Sequence, residues 1–359
     1  MGPYEALSRA SSMLSPWTMV LSLLLPIFLH WLFRPVLSDI LRRRRTTVTE
    51  VDLSPPDKGR EDPEQILLSI IVPAYNEEER LPIMLEQTMS HLFINDGGAT
   101  AQDIVRTLAT DQPKPERFTI EVVVVDDGST DGTIDAVRRA VRSLPPDTAG
   151  SRTVGPSLRC ISVQPNGGKG AAVRAGMLNA LSSARPPHYL LMADADGATD
   201  VRDLNALCRA VRGHPRGVGV GSRAHLRKSP AVQSRSFVRN LLMGCFHLAV
   251  RAITSISSVE DTQCGFKLFG REAAEIIFGS IHLGGWAFDI EVLTVCLREN
   301  MTVAEVPVRW TEVDGSKLDT GGKWRLLVVS LGMLRDMICV RLCYTLGIWR
   351  VQKRRREKM

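Results

Sequence analysis

The sequence predicts an open, doubly wound α/β sheet that apolar segments attach to a membrane at both ends. Short uninterrupted apolar runs alternate with segments of helical length and period, which is the pattern of a buried parallel sheet covered by helices. The runs end in polar or acidic residues, and ligands of such sheets bind at the carboxyl ends of strands. A charge-free run near the N terminus predicts the membrane anchor.

The predicted organisation has four parts. An anchor with its basic flank covers 1–45, a polar linker 46–65, the α/β domain 66–318 and a membrane-associated region with a basic tail 319–359. The apolar runs that predict strands are 67–75, 119–127, 158–164, 188–196 and 217–223. The segments that predict helices are 78–92, 132–143 and 170–182. Stretches 95–117 and 144–157, which are rich in Gly, Pro and polar residues, predict surface insertions.

Composition excludes several classes of protein. The chain has 359 residues, of which 44% are hydrophobic and 23% are charged, so a collagen-like, coiled-coil or fully disordered chain is excluded. Its seven cysteines form no C-x-x-C pair, which disfavours a disulfide scaffold or a structural zinc site and favours a reducing, cytosol-facing environment. The net charge of +6 indicates an anionic partner.

The N-terminal apolar run fits a signal anchor. Residues 17–33 form about 17 consecutive uncharged positions, the lower limit for spanning a bilayer. A cleaved signal peptide is the alternative, but its basic flank would precede the apolar run, whereas here four arginines follow it at 42–45. The positive-inside rule then predicts that the rest of the chain faces the cytosol.

The C-terminal region predicts an amphipathic helix lying in the membrane interface. Residues 324–350 are strongly apolar but contain Arg335, Asp336 and Arg341, so their uncharged stretches are too short to span a bilayer. The basic block KRRREK at 353–358 suits anionic lipid headgroups. The basic residues flank apolar segments and do not alternate with aromatic ones, which favours a membrane over nucleic acid.

The pair Asp194 and Asp196, at the end of the fourth apolar run, predicts a metal site. Two carboxylates at a strand end can converge on a hard divalent cation, Mg²⁺ or Mn²⁺, and such a cation can bridge a diphosphate. For an isolated D-x-D the alternative is a solvated turn. The position after a buried strand, followed by Gly197 and Thr199, favours the metal.

Three further motifs follow predicted strands or precede predicted helices. In DDGSTDG at 126–132 the carboxylates can accept hydrogen bonds from a base or ribose, or cap the next helix, and both readings can hold together. In PAYNEE at 73–78, Tyr75 could line a base pocket, while Glu77 also suits a helix N terminus. NGGKG at 166–170 suits a phosphate, although it lacks the spacing of a P-loop.

Basic and buried acidic residues complete the candidates. Arg223, Arg235 and Arg239 predict contacts to phosphate, with a solvated basic face as the alternative. Asp289 and Glu291 lie among large apolar residues, so each needs a partner or acquires a raised pKa.

Taken in order, these motifs resemble those of the inverting glycosyltransferases of family 2, which have the GT-A nucleotide-diphosphosugar transferase fold. The matching stretches cover most of 67–318: SIIVPAYNEEERLP, VVVVDDGSTDGT, NGGKGAAVRAGM, LLMADADGATD, GSRAHL, DTQCGFKLFGREAA, WAFDIEVL and WTEVDGSKL. The resemblance implies transfer of glucose from UDP-glucose to dolichyl phosphate, for N-glycosylation, by a single-pass protein of the endoplasmic reticulum membrane. A related polyprenyl-phosphate mannosyltransferase that uses GDP-mannose is the alternative.

The resemblance also implies a role for each candidate residue. The nucleotide sugar would contact Pro73, Tyr75, Glu77, Asp126, Asp127, Lys169 and Asp194. The metal would be held by Asp194 and Asp196, and the acceptor phosphate by Arg223 and Arg235. Asp289 matches the position of the catalytic base, although the usual Glu-Asp pair is Phe288-Asp289 here. Because a lipid monophosphate is largely dianionic at neutral pH, it needs little help from a base. The main task of the site is to hold two anions together.

Overall fold

One mixed sheet organises the computed structural model, which describes residues 16–53, 65–109, 118–142, 154–228, 250, 259–313 and 322–352. In these ranges eight strands form the sheet, in the order β1-β4-β3-β2-β5-β7-β6-β8. The strands are β1 Thr47–Val51, β2 Ile66–Ala74, β3 Phe118–Asp126, β4 Val154–Gln164, β5 Tyr189–Met192, β6 Val218–Ser222, β7 Lys267–Gly270 and β8 Val303–Pro307.

Nine α-helices occur in the same described ranges. They are α1 Pro16–Arg45, α2 Leu81–Met89, α3 Ala99–Leu108, α4 Thr133–Arg142, α5 Lys169–Leu181, α6 Leu204–Val211, α7 Arg271–Ser280, α8 Phe288–Arg298 and α9 Gly322–Thr345. Apolar side chains from helices and strands form a core on each face of the sheet. The α/β fold class predicted from the sequence is therefore confirmed.

The central strands bring several chain segments to one edge. β4, β3, β2 and β5 are parallel neighbours, so their carboxyl ends meet. β7 was not predicted. It runs antiparallel to both β5 and β6, so the sheet is mixed, whereas the apolar pattern predicted a parallel one. Apolar content on both faces indicates burial, and it does not determine strand direction.

Three segments that were predicted to lack regular structure contain part of a strand or a helix. Within the predicted linker, β1 pairs antiparallel with β4 and forms an edge strand whose first four residues are exposed, which explains its polar sequence. Within the predicted insertion at 95–117, α3 buries Ala101, Ile104 and Leu108. Residues 154–157, predicted as the end of the second insertion, instead form the start of β4, because they pair with β3. Residues 110–117 and 144–153 of the predicted insertions lie outside the described residues.

The predicted anchor is a helix. In the part of the chain that the structure describes, Leu24–Arg45 is the one stretch of 22 residues that is long and apolar enough to cross a membrane. Large apolar side chains of α1, including Ile27, are exposed. Leu32, Phe33 and Val36 lie toward the domain, and the last two pack against its core. Residues 24–31 of α1 thus offer apolar surface, and the following turns bind the folded domain.

The predicted C-terminal helix is also present, as α9. Its second half is buried against the core through Met337, Val340 and Tyr344. Val328 and Leu331 in the first half are exposed, which gives α9 an unburied apolar surface near the start of its described side chains. Its position in a membrane interface stays a prediction, and the basic tail at 353–359 lies outside the described residues.

Glu291 joins three of these elements. Its fully buried carboxylate accepts hydrogen bonds from the backbone N–H groups of His282 and Leu283 at 2.9 and 2.7 Å, and from Tyr344 Oη at 3.1 Å. The His282 ring also contacts the Glu291 carboxylate and stacks on Trp349 at 4.3 Å between ring centroids. Glu291 therefore connects α8, the segment before it and the end of α9, which is a structural role.

We expect Glu291→Ala to lower the free energy of unfolding by about 3 kcal/mol, because several buried donors lose their acceptor. The measurement is chemical unfolding of the detergent-solubilised chain. Glu299→Ala, which removes a carboxylate at the end of the same helix that pairs with Arg216 at 3.4 Å, is the matched control and should cost less than about 1 kcal/mol. Equal losses in the two variants would contradict the structural role of Glu291.

Candidate active site

A cavity of about 520 Å³ opens at the carboxyl edge of the central strands. Nine of the eleven site residues predicted from the sequence line it: Pro73, Tyr75, Glu77, Asp127, Lys169, Asp194, Asp196, Arg223 and Asp289. Asp126 does not line this cavity, and Arg235 lies outside the described residues. The fold thus gathers residues that are more than 200 positions apart in sequence around one space.

The loops after β2 and β3 hold each other in place. Asn76 adopts a positive φ of 53°; its N–H donates to Ser129 Oγ at 2.9 Å, and its Oδ1 accepts from the Thr130 N–H at 2.8 Å. Glu77 forms two hydrogen bonds with Arg80, at 2.7 and 2.8 Å. These contacts fix the loop that presents Tyr75 and Glu77 to the cavity, directly after Pro73 near the end of β2.

The two neighbouring aspartates after β3 have different surroundings. Asp126 accepts from the Ser129 N–H at 3.1 Å and from Ser162 Oγ at 3.3 Å, so it shapes its own turn. Asp127 accepts from the N–H groups of Gly167 and Gly168, both at 2.8 Å. Burial raises the pKa of Asp127 to about 6, against the opposing effect of these two N–H groups. Asp127 therefore holds the NGGKG loop as a wall of the cavity.

The glycines of the NGGKG loop allow close backbone contact with the segment before α8. The N–H groups of Gly170 and Ala171 donate to the Gly284 carbonyl oxygen at 2.9 and 3.2 Å. Gly168 has a φ of 87°, and a Cβ there would lie 2.6 Å from the same oxygen. This packing sets the start of α5 and with it the position of Lys169.

Lys169 pairs with the first aspartate of the predicted metal motif. Its Nζ lies 2.6 Å from Asp194 Oδ1 and 5.7 Å from the centre of the Trp286 ring. Burial would lower the pKa of Lys169, but the carboxylates of Asp194 and Asp289 outweigh burial and raise it. Burial likewise would raise the pKa of Asp194, and Lys169 with Lys267 lowers it. Both groups are therefore charged at neutral pH.

The donor set of Asp194 and Asp196 fits a cation that is shared with a substrate. Asp196 Oδ1 accepts from the Ala198 N–H at 3.0 Å, which orients its carboxylate at the cavity wall. Among the described residues, no group of three His, Cys, Asp or Glu side chains could enclose a metal ion. Mg²⁺ is commonly held by one or two carboxylates together with substrate phosphates. Two carboxylates suit that arrangement.

Arg223 is oriented by an acidic partner. Its Nε and Nη2 donate to the two Asp261 carboxylate oxygens at 2.7 and 3.0 Å, and its backbone N–H donates to Asp261 at 2.9 Å. The guanidinium lies 5.6 Å from the centre of the Trp310 ring. Burial would lower the pKa of Arg223, but Asp261 outweighs it and raises it. Arg223 thus presents a fixed, permanently charged group to the cavity.

A second buried ion pair was not predicted. Lys267 is fully buried, and its Nζ lies 2.6 Å from Asp289 Oδ1 and 2.5 Å from the Cys264 carbonyl oxygen. Burial raises the pKa of Asp289, although Lys267 opposes that effect. The available signal was the lysine itself, since a cation within the apolar run FKLF requires a buried acidic partner.

Other lining residues were also missed. Arg80, Asn166 and Gln263 add polar groups, and Trp286 adds an aromatic face that is 43% exposed. Val329 and Met333 of α9 form an apolar part of the wall, which the sequence assigned to a separate membrane-associated region. The cavity therefore combines acidic and basic groups with one apolar side.

The chain is similar to several known proteins. Residues 69–273 match the profile described as glycosyl transferase family 2. The chain is 38% identical over 292 residues to a dolichyl-phosphate β-glucosyltransferase of Dictyostelium discoideum, covering 80% of this chain and 78% of that protein. The enzyme of the same name from Homo sapiens is 37% identical over 294 residues, covering 80% and 79%. That from Saccharomyces cerevisiae is 36% identical over 304 residues, covering 82% and 80%.

A solved structure is similar at a lower level. The glucosyl-3-phosphoglycerate synthase of Mycobacterium tuberculosis is 15% identical, with coverage of 78% of this chain and 81% of that chain and a TM-score of 0.44.

Gly265 leaves the space that the Asp194 carboxylate occupies, because a methyl group added at Gly265 would overlap that carboxylate. We expect Gly265→Ala to displace it and to weaken UDP binding in the presence of Mn²⁺ by about 10-fold or more, measured by titration calorimetry. The unfolding midpoint should change little, since a side chain can move aside. Gly332→Ala, whose added methyl meets nothing within 4 Å, is the control. Unchanged UDP affinity in Gly265→Ala would contradict the assignment of Asp194 to the site that binds the metal and the nucleotide sugar.

We expect Lys267→Met to destabilise the fold by about 3–5 kcal/mol, because it leaves the Asp289 carboxylate buried without its partner. The double variant Lys267→Met with Asp289→Leu removes both charges and should recover most of that stability in chemical unfolding. It should not recover sugar transfer, because Asp289 lines the cavity. A double variant as unstable as the single one would show that the pair is not the source of the loss.

Proposed function

The chain belongs to glycosyl transferase family 2, and on that premise we propose that it transfers glucose from UDP-glucose to dolichyl phosphate with inversion. The observation that carries the proposal is the composition of the cavity wall. Asp194 and Asp196, the cation Arg223 and the apolar side chains of α9 border the same space. A charged donor and a lipid acceptor with a charged head need those three surfaces together.

The reaction that fits is a single in-line displacement at the anomeric carbon. A phosphate oxygen of the acceptor forms a bond to that carbon as the bond to the UDP oxygen breaks, which gives dolichyl β-D-glucosyl phosphate and UDP. Because the acceptor oxygen is already anionic at neutral pH, no proton has to leave it during attack. Asp289, held in an ion pair by Lys267, is then assigned to orienting the sugar or acceptor and not to strong base catalysis.

The nucleotide sugar would bind at the carboxyl ends of β2, β3 and β5, which come from the N-terminal half of the domain. Tyr75 lines the cavity and would contact the nucleobase. Lys169 follows the loop that Asp127 holds. The start of α5 and Lys169 suit the diphosphate. Asp194 and Asp196 would hold the Mg²⁺ or Mn²⁺ ion, which neutralises charge on the departing diphosphate when it is bound.

The acceptor would enter from the side of α9. Arg223, oriented by Asp261, suits the acceptor phosphate, and Val329 with Met333 suits the first isoprene units of the lipid. Arg235 remains a proposed second contact to that phosphate. With α1 as an anchor and the arginines at 42–45 on the cytosolic side, we assign the protein to the endoplasmic reticulum membrane with this cavity facing the cytosol.

The decisive experiment incubates membranes containing the full chain with radiolabelled UDP-glucose and dolichyl phosphate, with and without a chelator. Extractable glucolipid that requires a divalent ion is the expected result. A parallel incubation with GDP-mannose tests the alternative donor. Mannolipid in place of glucolipid would overturn the proposed donor.

We expect Asp196→Ala to lower the transfer rate by about 10²-fold or more, because the cation loses one of its two protein ligands. Circular dichroism and the unfolding midpoint should remain close to wild type. Asp103→Ala, which removes an exposed carboxylate paired with Arg106 at 3.1 Å on α3, is the control and should transfer normally. Undiminished turnover in Asp196→Ala would exclude its metal role.

A further inference from the structure

The end of the anchor helix α1 binds a wall of the active site. Arg42 Nη2 donates to the His282 carbonyl oxygen at 2.5 Å, and Arg43 Nη2 donates to the Ile281 carbonyl oxygen at 3.0 Å. Asp39, only 5% exposed, pairs with both guanidinium groups, at 2.6 Å to Arg42 and 2.8 Å to Arg43. Two arginines from about one turn of α1, both paired with Asp39, therefore hold two consecutive carbonyl groups that are about 240 residues away in sequence.

The segment that they hold, residues 281–287, borders the cavity. Gly285 and Trp286 line the cavity directly. The Gly284 carbonyl oxygen accepts from the N–H groups of Gly170 and Ala171, the first turn of α5 after Lys169. A displacement of this segment would therefore also move the end of α5 that suits a diphosphate.

The Arg42 side chain also lies between the two loops that meet there. A methyl group added at Gly284 would overlap the Arg42 guanidinium, and one added at Gly167 would contact Arg42 Cδ at 3.3 Å. The Gly167 N–H donates to Asp127, which also lines the cavity. Arg42 thus lies against both the NGGKG loop and the 281–287 segment without lining the cavity itself.

The neighbouring arginines provide an internal comparison. Arg44 and Arg45 are exposed, and within the described part of the chain neither donates a hydrogen bond to the 281–287 segment. A basic flank that serves only to set membrane topology would use all four arginines in the same way. Arg43 is exposed as well, so what separates the four is bonding and not exposure: Arg42 and Arg43 donate to the 281–287 segment, and Arg44 and Arg45 do not.

We propose that Arg42 and Arg43, oriented by Asp39, are positioning residues that keep the 281–287 segment and the start of α5 in the geometry that binds the nucleotide diphosphate. The anchor helix is then part of the support of the active site as well as a tether. The identity of the nucleotide rests on the proposed function, whereas the contacts of α1 do not.

The test compares full-length Arg42→Met and Arg43→Met with Arg44→Met and Arg45→Met, all purified in the same detergent. Each variant removes one positive charge from the basic flank. UDP affinity in the presence of Mn²⁺ is measured by calorimetry, and kcat and KM are measured for both substrates. We expect Arg42→Met to raise the Kd for UDP and the KM for UDP-glucose about 10-fold, with a smaller change in the KM for dolichyl phosphate. Arg44→Met and Arg45→Met should stay within about two-fold of wild type.

Hydrogen exchange of the backbone amides separates positioning from a general loss of stability. Exchange at 282–285 and 170–171 should become faster in Arg42→Met and remain unchanged in Arg44→Met. Asp39→Asn, which keeps both guanidinium groups but weakens their alignment, should change exchange in the same direction by less, and it replaces Arg42→Met if that variant does not fold. Arg42→Lys should restore part of the UDP affinity.

Equal effects of Arg42→Met and Arg44→Met on UDP affinity would overturn the proposal, as would reduced affinity with unchanged exchange at 282–285. Failure of the proposed function gives a different result. In that case wild type binds UDP without forming glucolipid, or does not bind UDP, while the exchange difference between Arg42→Met and Arg44→Met persists.

Discussion

Compensation of charge organises the candidate active site. Three cations at the carboxyl edge of the sheet each have a carboxylate partner: Lys169 with Asp194, Lys267 with Asp289, and Arg223 with Asp261. A lone charge at these depths would be costly, and in each pair the opposite charge stabilises the ionised form of its partner. A reaction between a diphosphate sugar and a phosphate brings two more anions into the same space. Ordered cations whose positions are already fixed meet that need without reorganisation.

Close backbone approach is the second requirement, and it explains where side chains are missing. The NGGKG loop and the segment before α8 meet through backbone groups, with Gly168 and Gly170 against Gly284 and its neighbours. Gly265 likewise leaves space, in this case for the side-chain carboxylate of Asp194. Because these contacts are made by main chain, the loops are fixed more rigidly than flexible side chains would allow. Their rigidity sets the positions of Lys169 and Asp194, which sequence spacing alone does not determine.

The sequence predicted what depends on short-range patterns. Alternating apolar runs and helices predict parallel strands, and parallel strands place Asp127, Asp194 and Arg223 at one edge, as observed. Contacts between residues that are far apart in the chain leave no comparable pattern in the sequence. Lys267 and Asp289 are 22 residues apart and lie on different elements, and Arg42 contacts a carbonyl group 240 residues away. The sequence motif predicts the same contacts for the adjacent residues Asp126 and Asp127. Only the folded backbone of the turn determines that Asp127 borders the cavity and Asp126 does not. Strand direction, as in β7, likewise depends on tertiary packing and not on apolar content.

The two helices that carry exposed apolar surface, α1 and α9, both contact segments that line the cavity or line it themselves. α1 packs against α9, and the Arg335 guanidinium lies 5.9 Å from the centre of the Trp31 ring across that contact. α9 contributes apolar lining to the cavity through Val329 and Met333, and α1 holds the 281–287 segment, which also lines it. A lipid phosphate stays at the membrane surface because its chain stays in the apolar phase, so the enzyme has to bring a water-exposed sugar donor to a fixed depth. Because parts of the cavity lining are joined to α1 and α9 by covalent and packing contacts, the membrane positions proposed for these helices would also fix the depth of the cavity.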